Sequence, residues 1–138
     1  MLEKIKVKIV KTADTEQLKY LFNQTGWWDE EDNEIPEIMD KIIQGSFCFA
    51  LAQMDDRVIG MGRAISDGVR DAYIQDVAVL EEFRGKGIGV LIMDEIVKYL
   101  KSKNITWISL ISEPKAVSFY QRFGFSQMTG YVPFILEK

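Results

Sequence analysis

Asp76-Val77-Ala78-Val79-Leu80-Glu81-Glu82-Phe83-Arg84-Gly85-Lys86-Gly87-Ile88-Gly89 is the stretch on which the reading of this chain turns. An apolar strand over 72–80 runs into a loop with glycines at 85, 87 and 89, and an apolar helix follows from Gly87 to about Leu100. Glycine lets backbone N–H groups approach a ligand closely. A helix N-terminus adds unsatisfied donors and a partial positive charge. Together these make a pyrophosphate site, and Arg84 and Lys86 add positive charge beside it. Two phosphate-binding patterns fail. A P-loop needs Gly-Lys-Ser/Thr, but Gly87 follows Lys86; a dinucleotide fingerprint starting at Gly85 needs glycine at 90, where Val90 stands. Arg84-x-x-Gly87-x-Gly89 remains. On the loop alone, a plain strand-to-helix turn with two solvated basic residues stays open as the alternative.

Outward from this loop the chain punctuates itself clearly. Ile5, Val7 and Ile9 alternate with lysines as in a half-buried strand over 5–10. Asp14 can cap a helix, with Gln17 three residues on and Leu18, Leu21 and Phe22 as its apolar face, and Gly26 ends that helix or the loop after it. Pro36 suits the first turn of a second helix, striped by Ile38, Met39, Ile42 and Ile43 and closed by Gly45. Residues 46–53 and 58–65 flank Met54-Asp55-Asp56-Arg57 as a hairpin, and Ser66 to Asp71 make a second turn. Trp107 to Ile111 reads as a buried strand, 115–122 as a short helix after Pro114, and 126–129 and 131–136 as two short strands. The order predicts a mixed α/β (α+β) sheet with helices on its faces, in one domain spanning residues 1–138.

Composition narrows the chemistry. With no histidine among 138 residues, Ser-His-Asp and Cys-His nucleophile systems are excluded, and most catalytic zinc sites with them. No metal site is expected. Cys48 is the only cysteine, so no internal disulfide forms, and a reducing, cytoplasmic setting is the expectation. A net charge of −4 without a basic block argues against nucleic acid as a partner, and no apolar run suggests a membrane span or a signal peptide.

The pattern around the loop resembles the GNAT acetyltransferase superfamily, whose phosphate loop is Arg/Gln-x-x-Gly-x-Gly/Ala after a strand. Tyr73-Ile74-Gln75-Asp76-Val77-Ala78-Val79 looks like the family's fourth strand, and Ala116 to Phe125 looks like its signature A-x-x-x-Y-x-x-x-G-F. The resemblance is clear over 46–136, and the chain looks closest to short, single-domain bacterial-type amine acetyltransferases. It implies a central, mostly antiparallel sheet of six or seven strands, splayed at strands 4 and 5, with about four helices. It also implies an enzyme that moves an acetyl group from acetyl-CoA (coenzyme A as carrier) to an amine, with dimers common in such folds.

The same resemblance assigns roles. Backbone groups of Val77, Ala78 and Val79 would line the pantetheine arm, and N–H groups from Arg84 through Gly85, Lys86, Gly87, Ile88 and Gly89 would hold the pyrophosphate. The amine would attack the thioester directly, through a tetrahedral oxyanion stabilised by an N–H near Val77. Tyr120 would protonate the departing thiolate; as a plain aromatic, it would instead be core with a satisfied hydroxyl.

The base stays open. Strand parity puts Tyr73, Gln75, Val77 and Val79 on one side, where Gln75 can orient a water, and puts Asp76 on the other unless a bulge turns it. Glu113 stands where many members carry asparagine against the cofactor arm, which makes it a cofactor contact or an alternative base. Trp27-Trp28 beside Asp29 to Glu34 lies where the family often covers the acceptor; aromatic rings with carboxylates suit a cationic amine, and equally suit structural packing. With Tyr73, these tryptophans are the candidate substrate-binding residues. The expected acceptor is a small-molecule primary amine. A protein lysine or N-terminal amine is the alternative, and a non-catalytic acyl-CoA-binding module is the rival outside enzymes.

Overall fold

The computed structural model describes residues 4–137. Its elements are β1 (Ile5–Ile9), α1 (Thr15–Thr25), α2 (Ile38–Gly45), β2 (Cys48–Met54), β3 (Arg57–Ser66), β4 (Asp71–Val79), α3 (Ile88–Ser102), β5 (Trp107–Leu110) and α4 (Val117–Gln121). Short 3₁₀ turns stand at Glu30–Glu34, Glu81–Phe83 and Pro114–Ala116. The sheet order follows the chain, β1-β2-β3-β4-β5. β1 to β4 are antiparallel, and β5 joins β4 in parallel. A parallel neighbour requires a crossover, which α3 supplies.

The local signals act as their chemistry dictates. The Asp14 carboxylate accepts from the N–H groups of Glu16 and Gln17 at 3.1 and 3.2 Å, and Gly26 closes α1 in the left-handed region at φ 80°. α2 starts at Ile38, two residues past Pro36; the proline sits in the preceding turn, and Glu37 at φ 54° is the cap.

β2 is buried from Cys48 to Ala52 and β3 from Val58 to Gly62, residues of both parities, so helices cover the sheet on both sides. On one side lies α3, with Ile88, Ile92, Met93, Ile96 and Leu100 buried. Two glycines permit its close seat. A Cβ on Gly60 would stand 2.9 Å from Ile92 Cδ1, and one on Gly62 would stand 2.8 Å from Ile96 Cδ1 and 2.9 Å from Ile92 Cγ2. α1 contributes Leu18, Leu21 and Phe22 to the same core, and α2 contributes Met39 and Ile43.

Three expectations are corrected. The sheet has five strands, not six or seven, because 126–129 and 131–136 form no strand. Their strand-like composition is local, whereas a strand also needs a partner edge, and the described chain brings none to them. Trp107 to Ile111 is not buried: Trp107 is 50% and Ile111 62% exposed, since β5 is the outermost strand of the sheet. The third correction concerns the faces of β4 and belongs to the site.

Candidate active site

The site grows from a defect in β4. Arg63 pairs with Gln75 and Met61 with Ala78, so Asp76 and Val77 together face the single residue Gly62. This bulge puts Asp76 at φ 58°, in the left-handed region. It also resets the parity. Val77 now points at α3, its Cγ2 3.2 Å from where a Gly62 Cβ would be, beside Ile92 and Ile96. Gln75 lies opposite Arg63 on the other face. Tyr73, Gln75, Val77 and Val79 therefore do not share one side, as uninterrupted alternation predicts.

Asp76 is turned toward Arg63 instead. Arg63 Nε donates to Asp76 Oδ2 at 2.7 Å, with only 14% and 20% of the two side chains exposed. Arg63 Nη1 also donates to Ser46 Oγ at 3.3 Å, and that hydroxyl donates to the Ile42 carbonyl at 2.6 Å. The bulge is thus tied through one guanidinium to the end of α2. Tyr73 sits near it; burial raises its hydroxyl pKa, and the Asp76 charge raises it further.

Pairing between β4 and β5 ends at Ile74 and Leu110. Past that point the two strands part, and β4 from Gln75 to Val79 has no strand on its β5 side. A cleft of about 590 Å³ opens there. Val77, Ala78 and Val79 line one wall, and Arg84, Gly85, Gly87, Ile88 and Gly89 line its loop end. Glu113 and Tyr120 come from the β5 side, and Trp27 from the end of α1.

The loop end presents backbone N–H groups beside basic side chains. Leu80 N–H donates to Ile59 O at 2.9 Å, anchoring the strand exit. Arg84 Nε donates to the Val79 carbonyl at 3.0 Å, drawing its guanidinium back along the loop. Gly85 at φ 74° and Gly87 at φ 86° adopt backbone that side chains disfavour. No side chain caps α3, and its first helical bond runs from Leu91 N–H to Gly87 O, which leaves the N–H groups of Ile88, Gly89 and Val90 outside the helix ladder. Lys115 and Arg122 bring further positive charge to the cleft.

Gly89 has a second reason to be glycine. A Cβ there would lie 3.1 Å from Phe119 Cζ, so α4 packs directly on the first turn of α3. Phe119 in turn stacks edge-on with Tyr120, ring centres 5.0 Å apart. Tyr120 is half-buried, and its pKa is raised above the ordinary tyrosine value, first by burial and then by the Glu113 carboxylate. At neutral pH it holds its proton, and it can donate it.

Other sequence candidates stand apart from the cleft. Gln75, Asp76, Tyr73, Trp28 and Lys86 are not among its lining residues. Trp28 donates from Nε1 to Asn33 Oδ1 at 3.1 Å, with the Lys19 ammonium 5.4 Å from its ring centre. Lys86 lies over the Phe83 ring at 5.9 Å. Gln24, Thr25, Phe83, Val90, Lys115, Ala116, Phe119 and Arg122 line the cleft without having been singled out from sequence. Lys115 and Arg122 flank the Tyr120 signature, and that position was the available signal. Among the described residues no acidic, cysteine or histidine cluster could hold a metal, and no helix is long and apolar enough to cross a membrane.

Comparison with known proteins agrees with this geometry. Residues 11–125 match the model of the Acetyltransferase (GNAT) family. The chain is 30% identical over 131 residues to the N-acetyltransferase ycf52 of Porphyra purpurea, covering 89% of this chain and 74% of that protein. It spans 66% and 59% of the ycf52 proteins of Pyropia yezoensis and Gracilaria tenuistipitata. Among solved structures, SA2161 from Staphylococcus aureus superposes with a TM-score of 0.81 at 29% identity, over 97% of this chain and 98% of that one. The GNAT-family acetyltransferase SP0256 from Streptococcus pneumoniae gives 0.74 at 26%, over 96% and 99%.

Proposed function

The chain belongs to the GNAT family of acetyltransferases, and from that premise we propose that it transfers the acetyl group of acetyl-CoA to the primary amine of a small molecule, by direct attack in a ternary complex. The observation that carries the reading is the cleft itself. One opening joins an unpaired strand edge, a first helical turn with free N–H groups and a proton-holding tyrosine. An extended amide-bearing arm matches the first, a pyrophosphate the second and a departing thiolate the third.

The bound donor supplies a reactive thioester. The residues of this chain do the rest. The backbone of Val77 to Val79 aligns the arm as an added strand, and the loop from Arg84 to Gly89, with Lys86 at its edge, neutralises the phosphates. An N–H at the bulge faces the carbonyl oxygen as charge develops on it. Tyr120 gives its proton to the sulfur that leaves. Arg63 holds Asp76 and with it the bulge, so Asp76 positions the strand, and solvent takes up the amine proton. Burial, and then the neighbouring Glu113 carboxylate, keep Tyr120 protonated, and Glu113 touches the cofactor arm. Trp27, which lines the cleft, forms the acceptor side, where the carboxylates of 29–34 favour a cation.

Thermal melting with acetyl-CoA, followed by release of free CoA across a panel of polyamines, arylalkylamines, amino sugars and peptides, tests the reading. Stabilisation by acetyl-CoA and turnover with a small amine are expected. Turnover confined to peptides would transfer the reading to a protein acceptor. Stabilisation without any turnover would leave a binding module, and no stabilisation would remove the donor site altogether.

A further inference from the structure

We infer that Arg122, with Lys115 beside it, holds the 3′-phosphate of the donor's adenosine, so that the cleft selects coenzyme A over its 3′-dephospho form. The inference rests on the acyl-transfer reading of the cleft and adds a third phosphate to it. Coenzyme A carries two kinds of anion. One is a diphosphate bridge; the other, one ribose further on, is a phosphomonoester with a charge of about −1.5 to −2 at neutral pH. The diphosphate accounts for the N–H groups of Ile88, Gly89 and Val90 that stand outside the helix ladder. The phosphomonoester needs cations of its own.

The glycine loop has little charge to spare for it. Arg84 is drawn back by its 3.0 Å bond to the Val79 carbonyl. Lys86 lies over the Phe83 ring and does not line the cleft. The other cations of the cleft, Lys115 and Arg122, come from the turn Pro114–Ala116 and from the residue that follows α4. The acyl-transfer steps leave both unused. The Arg122 guanidinium carbon stands 5.6 Å from the centre of the Phe119 ring. Phe119 Cζ in turn lies 3.1 Å from where a Gly89 Cβ would be. Arg122 is therefore one aromatic ring away from the first turn of α3, where the diphosphate belongs. Among the described residues no carboxylate pairs with it. A ring against one face steadies the guanidinium plane and leaves its edge donors for phosphate oxygens.

Charge assigns the anion to the donor rather than to the acceptor. The acceptor side carries Trp27 and the carboxylates of 29–34, which suit a cation. The two basic side chains are not equal. Lys115 Nζ stands 3.7 Å from Glu113 Oε2, so part of its charge is already answered. Arg122 is the main contact and Lys115 the lesser one. Both side chains are exposed, so they can meet a phosphate without any change in the packed part of the fold.

Calorimetric titration of the full chain with coenzyme A and with 3′-dephospho-coenzyme A tests this without any turnover. The unaltered chain should bind coenzyme A about tenfold or more tightly than the dephospho form, and the gap should narrow as salt is raised. Arg122→Gln should bring the affinity for coenzyme A down to near that of the dephospho form and leave the dephospho affinity unchanged. Lys115→Gln should do the same to a smaller degree. Melting of the ligand-free variants should match that of the unaltered chain, because neither side chain is packed. Equal affinity of the unaltered chain for the two ligands overturns the inference and leaves the donor reading standing. A preference that survives both substitutions together overturns it too. So do variants that weaken both ligands alike, which would assign the cations to the diphosphate. Binding of neither ligand removes the donor reading, and the 3′-phosphate contact with it.

Discussion

β2 and β3 are buried from both sides, whereas β5 and α4 contain no buried residue, and beyond Ile105 no described residue is buried at all. The two parts share one sheet but answer to different demands. In the first, volume rules: Gly60 and Gly62 admit α3 at distances where even a methyl group has no room. In the second, aromatic rings pack only partly, and that looseness leaves Tyr120, Glu113 and the β4 edge reachable. Binding and chemistry tend to be drawn from the less stable part of a fold. The well-packed part borders the bulge, and the less buried part brings Tyr120 to the cleft.

The comparison can be broken by substitutions that separate chemistry from packing. Tyr120→Phe should lower kcat by about 10²-fold or more while leaving melting temperature and acetyl-CoA binding nearly unchanged. Equal losses in stability and in turnover would show that the tyrosine is a packing residue. Arg63→Ala should act on both parts, since it leaves a mostly buried Asp76 carboxylate without its partner. A destabilisation of about 1–3 kcal/mol is expected, with kcat falling because the bulge loses its tie. Denaturant unfolding and steady-state kinetics on one preparation check this.

Gly62→Ala should cost about 1–3 kcal/mol through overpacking alone, since its Cβ would meet two isoleucines of α3 below 3 Å. Hydrogen exchange should show the loss in β2 and β3, and acetyl-CoA should slow exchange at 85–90 and 113–120 instead. Protection spread evenly over both parts would dissolve the contrast.

The pH dependence sharpens it further. The folded pKa of Tyr120 is raised above the usual 10, so the fold holds this proton more tightly than the unfolded chain does. The stabilisation that follows is fully present below pH 10 and is lost as pH rises through the folded value. The acid-dependent limb of kcat should accordingly fall only above pH 10, and Tyr120→Phe should abolish that limb. The smallest effect expected is at Cys48, in the rigid part, where burial pushes the thiol up to about 11. A thiol reagent at pH 8 should leave it untouched in the native protein and titrate it on unfolding; rapid native reaction would mean that β2 opens.

Much of this was legible in residues 72–125. Strand, glycine loop and helix follow from patterns in which each residue's neighbours in sequence are also its neighbours in space, and the Tyr120 signature was legible through the family resemblance. The cap at Asp14 and the left-handed Gly26 are equally local. The acceptor side was less legible. Trp27 and Trp28 are adjacent in sequence, yet one lines the cleft and the other is held by Asn33 and Lys19. Their identity alone cannot divide them.

By itself the sequence determined the element order as far as α4, the glycine turn into α3 and the absence of histidine chemistry, because helix periods, caps and glycine backbone act over a few residues. Tertiary structure decided the rest. The bulge that turns Asp76 toward Arg63 exists only because β3 offers one residue where β4 offers two. The parting of β4 from β5 after Ile74 and Leu110 makes the cleft, and no local pattern encodes where a ladder stops. The segment 131–136 has a strand's composition and no strand's partner. Pairing is a property of two edges, and only the folded molecule shows which edges remain free.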